Sequence, residues 1–185
     1  MTRLILTLSF LLLLASPSWA AIVCGNETFT PGNPPAANPQ TQSYTPDAGS
    51  NRVVIVVAGY RDTDADDTSI TGVTSSAGGT FNNYGSIRVE GDAGADYYVT
   101  LYYSTDFVDG AQTLSVTYST TVLQGYIASY TCTGVNTSSP FRSAAVTAVG
   151  TAKGRHAVLA LSIGRDWDNH RRSHAAPFRV SHDLQ

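Results

Sequence analysis

Lysine is almost missing from this chain: Lys153 is the only one among eleven basic residues. Charged residues make up 14% of its 185 positions, and the formal net charge is −3. A protein that grips nucleic acid through phosphate contacts needs a basic stripe, so that class of partner is excluded. Nucleophile signals are absent as well. There is no Gly-x-Ser-x-Gly, no Ser-x-x-Lys and no cysteine–histidine pairing in a fitting context, so nothing nominates an enzyme. After the first fifteen residues no apolar stretch is long and unbroken enough to span a bilayer. No stretch of the mature chain carries a convincing helical period. Hydrophobic residues still reach 42%, which excludes wholesale disorder.

What is present is hydroxylic and strand-like. Serine and threonine together number 41, a composition that suits exposed strands and turns. At the start, Met1-Thr2-Arg3 sets a positive charge before the apolar run from Leu4 to Ala15. Pro17 breaks that run, and Ser18-Trp19-Ala20 supplies a small-x-small pattern. This is the layout of a secretory signal peptide over residues 1–20, with cleavage after Ala20. About a dozen apolar residues are few for spanning about 30 Å of hydrocarbon, which argues against a membrane anchor. The expected location is secreted or extracellular, at the cell surface or in a periplasm. Export permits Cys24 and Cys132, the only cysteines, to form a disulfide. Two buried thiols are the alternative.

Residues 21–50 hold five prolines and read as an extended arm, since proline removes a donor and blocks a helix. From Arg52 the texture changes. Val53 to Ala58 is a β-branched apolar run, expected as a buried strand. Further strands are expected over 69–74, 86–90, 97–103, 113–118, 121–133, 144–149 and 156–163, punctuated by turn signals at Gly78-Gly79 and Asp109-Gly110. Eight or so short strands with such turns predict an all-β fold, an antiparallel sandwich of immunoglobulin-like or jelly-roll-like form over 51–164. A basic tail over 165–185 is expected to be poorly ordered.

The order of features is also familiar. Gly49-Ser50-Asn51-Arg52 opens the Val/Ile strand, followed by Ile70-Thr71-Gly72-Val73-Thr74, the aromatic strand ending Leu101-Tyr102-Tyr103, and Thr113-Leu114-Ser115-Val116-Thr117-Tyr118. Then comes Gly134-Val135-Asn136-Thr137-Ser138-Ser139-Pro140. Together these resemble a repeated β-sandwich module of bacterial secreted and cell-surface proteins, over roughly residues 41–150. The resemblance implies an extracellular, non-catalytic architecture and carries no catalytic residues. After Gly150 the chain departs from that pattern. All four histidines and five arginines fall in the last 31 residues, and the expectation is a non-homologous end produced by truncation or a frameshift.

Two groups of residues are candidate sites. Asp62, Asp64, Asp66 and Asp67 alternate as a calcium loop would, directly after a strand. They miss the EF-hand pattern, because Asp67 stands where glycine belongs and Val73 where the bidentate glutamate belongs. A solvated acidic loop is the alternative. In Tyr97 to Tyr103, the face of Tyr98, Thr100 and Tyr102 offers rings that could stack on a glycan, against the alternative of ordinary strand packing. His170 and His174, four apart, enclose Arg171 and Arg172 rather than a glutamate, so no zinc-protease motif forms. The expected role is a secreted, non-enzymatic surface, adhesion or matrix module. Its rivals are a carbohydrate-binding module with structural calcium, and a fibre subunit that self-assembles by donating its Pro-rich arm to a neighbour.

Overall fold

A computed structural model describes residues 22–32, 36–62, 68–90, 96–151, 154–163 and 177–181. The expected signal peptide, Asp64, Asp66, Asp67 and the His170–His174 pair lie outside the described residues. Eleven strands follow one another: β1 (Val23–Pro31), β2 (Gln40–Tyr44), β3 (Val53–Asp62), β4 (Ile70–Ser75), β5 (Asn82–Glu90), β6 (Asp96–Ser104), β7 (Gln112–Tyr118), β8 (Gln124–Thr133), β9 (Phe141–Thr151), β10 (Gly154–Ile163) and β11 (Pro177–Ser181). The described residues contain no helix.

The first eight strands build the sandwich. One antiparallel sheet runs β1-β8-β3-β6-β5 and the facing one β2-β7-β4. The pairs β1·β8, β2·β7 and β3·β6 are successive rungs of one long hairpin wound around the core. That is jelly-roll winding, and it decides between the two forms that strand texture alone left open. A third small sheet, β11-β10-β9, takes in Pro177–Ser181 from the expected tail.

Alternation along β3 explains why its whole run is apolar. Val54, Val56, Ala58 and Tyr60 point between the sheets, where they meet Leu114, Val116 and Tyr118 of β7 and Ile127 of β8. Val53, Ile55 and Val57 point the other way, into a second cluster with Leu101, Ala128 and Tyr130. At that cluster's border Phe141, the first residue of β9, lies between the rings of Tyr84 and Tyr103. A strand covered on both faces reads as a continuous hydrophobic run rather than an alternating one.

The described parts of the Pro-rich segment are extended, and they are built into both sheets rather than standing apart. Val23–Pro31 pairs with β8 as an edge strand, and Gln40–Tyr44 pairs with β7. Asn38 lengthens the second pairing with its side chain, whose Nδ2 donates to the carbonyl of Tyr118 while its Oδ1 accepts from the Tyr118 amide. Within the segment over 25–48 that strand donation would lend to a neighbour, both described strands are therefore hydrogen-bonded within their own chain. Cys24 and Cys132 face each other in the β1–β8 register and form a disulfide across 108 residues of chain.

A cross-link over a loop that long restricts the unfolded ensemble strongly. Replacing both cysteines by serine is expected to cost about 2–5 kcal/mol, read as a lower midpoint in urea unfolding. An unchanged midpoint would contradict this.

Candidate functional site

The two tyrosines that sequence reasoning offers to a glycan lie on the face of β6 that packs against the core, Tyr102 buried and Tyr98 half-buried. The register opposes Tyr98 to Tyr60 and Tyr102 to Val56, and the even-numbered face of β6 closes onto the core between the sheets. Tyr102 is only 5% exposed, and its hydroxyl donates to the carbonyl of Ile70 at 3.3 Å. Burial raises its pKa above the usual value for tyrosine. Tyr98 stacks on Tyr60, with ring centroids 4.8 Å apart and an interplanar angle of 9°. The Tyr102 ring is thus enclosed, and one face of the Tyr98 ring is covered by Tyr60. A period-2 pattern yields two faces without saying which is inside, and the opposite face (Tyr97, Val99, Leu101, Tyr103) is just as apolar.

The acidic site is only partly described. Asp62 is buried and accepts from the Thr68 hydroxyl at 2.7 Å, which gives its carboxylate a structural partner at the end of β3. The register sets Asp96 opposite Asp62 and Glu90 opposite Asp96. The strand ends flanking residues 63–67 and 91–95 thus lie side by side, a convergence that sequence spacing does not reveal. Among the described residues no group of three or more His, Cys, Asp or Glu could hold a metal ion.

What the structure adds is a polar seam between the sheets along the β1–β2 side. β2 alternates buried and exposed, so Gln40, Gln42 and Tyr44 all point inward. The Gln42 amide nitrogen lies 3.1 Å from each of Thr28 O, Thr30 Oγ1 and Ile127 O, and shares its two hydrogens among them. Its carbonyl oxygen accepts from the Ser129 hydroxyl at 2.7 Å. One turn of the pleat away, the Gln40 amide donates to Thr30 O and Gly125 O, and its oxygen accepts from the Tyr118 hydroxyl at 2.8 Å. The Tyr44 and Thr131 hydroxyls share a third bond. Each side chain reaches from the three-stranded sheet to backbone or hydroxyls of the five-stranded one. Gly125 makes room for this: any Cβ there would run into the Gln40 amide and the Tyr118 hydroxyl. The signal for this seam, Gln-x-Gln-x-Tyr, is legible only once residues 40–44 are taken as a strand.

Outside the seam, a shallow cleft of about 450 Å³ opens beside the end of β2. Asn26, Ser43, Thr45, Ser76, Gln112 and Thr113 contribute to its walls, and no lining residue is charged. Asn26 sits in the β1 bulge with a left-handed φ of 53°, and its amide donates to the carbonyl of Thr45. Asparagine adopts that conformation more readily than most residues, and bulges re-aim side chains at sheet edges. Gln112 is buried and fully engaged, its oxygen accepting from the Ser75 hydroxyl and its nitrogen donating to Val108 O at 2.8 Å. With this geometry in hand, comparison with protein-family models, curated proteins and solved structures gives no match.

Two outcomes follow for the seam. Gln42→Leu leaves the carbonyls of Thr28 and Ile127 and the Ser129 hydroxyl without their partner, a loss expected to cost about 3 kcal/mol. Thr41→Ala, at an exposed neighbour, should stay within about 0.5 kcal/mol; equal effects of the two in chemical denaturation would contradict the seam. The second outcome concerns alkali. Burial pushes the Tyr44 hydroxyl up to about 12, and raises Tyr118 and Tyr130 further still. These groups bind their protons more tightly folded than unfolded, so their share of stability is complete below the ordinary tyrosine pKa of about 10 and is lost as pH rises above it. Phenolate absorbance should rise in two stages, the buried tyrosines ionising only together with loss of the fold. A single stage with the fold intact would contradict this.

Proposed function

We propose that this chain is an exported, disulfide-stapled β-sandwich that serves as a surface, adhesion or matrix module and catalyses no reaction. The observation that carries the reading is the Cys24–Cys132 disulfide. It ties the first strand after the expected cleavage site to its neighbour β8 in the larger sheet, and such a bond persists in oxidising compartments. Three further features support it. The N-terminal layout is that of a secretory signal. The strand texture over 41–150 resembles that of bacterial surface modules. The buried polar side chains of the seam are occupied in joining strands, as a scaffold requires. Assembly by donation of the arm is the weaker rival, because β1 is paired with β8 and stapled to it.

The test is processing in a secreting bacterial host. N-terminal sequencing of the exported protein is expected to begin at Ala21, with no thiol free to react with an alkylating reagent. An unprocessed chain with two free thiols would overturn the reading.

A further inference from the structure

The outer face of the three-stranded sheet differs from the rest of this domain. Residues 21–152 carry eleven acidic and four basic groups, yet β2, β4 and β7 contain no charged residue at all. Their outward positions are almost purely hydroxylic. Thr41, Ser115 and Thr74 form one row across the three strands, and Ser43 pairs with Thr113 in the next. Thr117 extends the array, with Gly72 beside it. Rows across strands repeat at about 4.8 Å, and alternate residues along a strand at about 6.7 Å. Among the described residues, the hydroxyls of Thr41, Ser43, Thr74, Thr113, Ser115 and Thr117 make no hydrogen bond within the protein.

β2 and β4 are moreover the two open edges of this sheet. Open edges are ordinarily guarded by charge, lysine above all, and here neither carries any. The cleft beside the end of β2 continues the array, since Ser43 and Thr113 belong to both. Its volume of about 450 Å³ lies within the range of small-ligand sites. Such sites are mostly apolar, however, and this one is lined chiefly by hydroxyls, Thr28, Ser43, Thr45, Ser76 and Thr113 among them, which are donors and acceptors at once.

We propose that this face and its cleft bind an uncharged polysaccharide, with one or two sugar units seated in the cleft and the chain continuing over the hydroxyl rows. An ionic ligand would find no counter-charge, and an apolar ligand would strip water from polar walls without replacing its hydrogen bonds. A neutral glycan matches both constraints, because its hydroxyls donate and accept as those of the rows do. No exposed ring takes part, so recognition rests on hydrogen bonds and shape. The inference rests on the extracellular reading above, yet it is tested on purified protein, so its failure and a failure of export are read separately.

The experiment is affinity electrophoresis of the full mature chain through gels containing a β-glucan, a galactomannan or a xyloglucan, with alginate and heparin as charged controls. At least one neutral polymer is expected to retard the protein, and neither charged polymer should. Ser43→Glu and Thr113→Glu set a charge at the junction of cleft and rows, and each is expected to weaken retardation about tenfold or more. Ser43 is exposed, so its variant keeps the test open if Thr113→Glu does not fold. No retardation by any neutral polymer, equal retardation by the charged ones, or indifference to both substitutions would overturn the proposal. So would light scattering showing that the face is covered by a second copy.

Discussion

Gln40 and Gln42 set the terms for this fold. Two sheets in a sandwich are normally joined by apolar interdigitation alone. Here one side is joined by carboxamides that reach from β2 to carbonyls and hydroxyls of β1 and β8. A buried amide is costly unless its donors and acceptor are met, and then it specifies one arrangement. Gln42 meets that condition only when β1 lies in its observed register on β8, with its bulge between Gly25 and Thr28. Gly125 must also lack a side chain, or Gln40 has no room. The glutamines thus determine where the first strand sits, and the disulfide holds it there.

The rest of the architecture follows from how the two halves of the interior divide their labour. β3 is covered on both faces and supplies apolar area to two clusters, so it needs no polar specification. The β1–β2 side is thin and polar, and it is where the winding begins. Phe29 and Val23 on β1 remain exposed, so that strand gains little from burial and depends on the seam and on Cys24. With the inside of β2 committed to the seam, its outside is left to small hydroxylic residues. The same five residues therefore carry the structural clamp on one face and the uncharged surface on the other.

Legibility in the sequence tracks these physical differences. Val53 to Ala58 announces itself because double-sided burial demands an unbroken β-branched run. The turn at Gly78-Gly79 is equally plain, both glycines having φ values near the left-handed range at 94° and 99°. Tyr97 to Tyr103 is legible as a strand but not as a site, because both faces of β6 are covered and its alternation cannot say which is inner. Gln40 to Tyr44 stays hidden: prolines on either side dominate the local signal, and glutamines at buried positions oppose the usual hydrophobic pattern. The junction of Asp62, Asp96 and Glu90 depends on pairing between strands far apart in sequence. Registers of that kind arise from tertiary structure, not from spacing.

Side-chain amide hydrogen exchange tests the seam most directly. If the glutamines hold the sheets together, the Nε2 protons of Gln40 and Gln42 should be protected like backbone amides of β3, and should exchange only through opening of the fold. A short model peptide containing glutamine provides the unprotected reference. Exchange of the Gln40 and Gln42 amides at the peptide rate, with β3 still protected, would contradict the account.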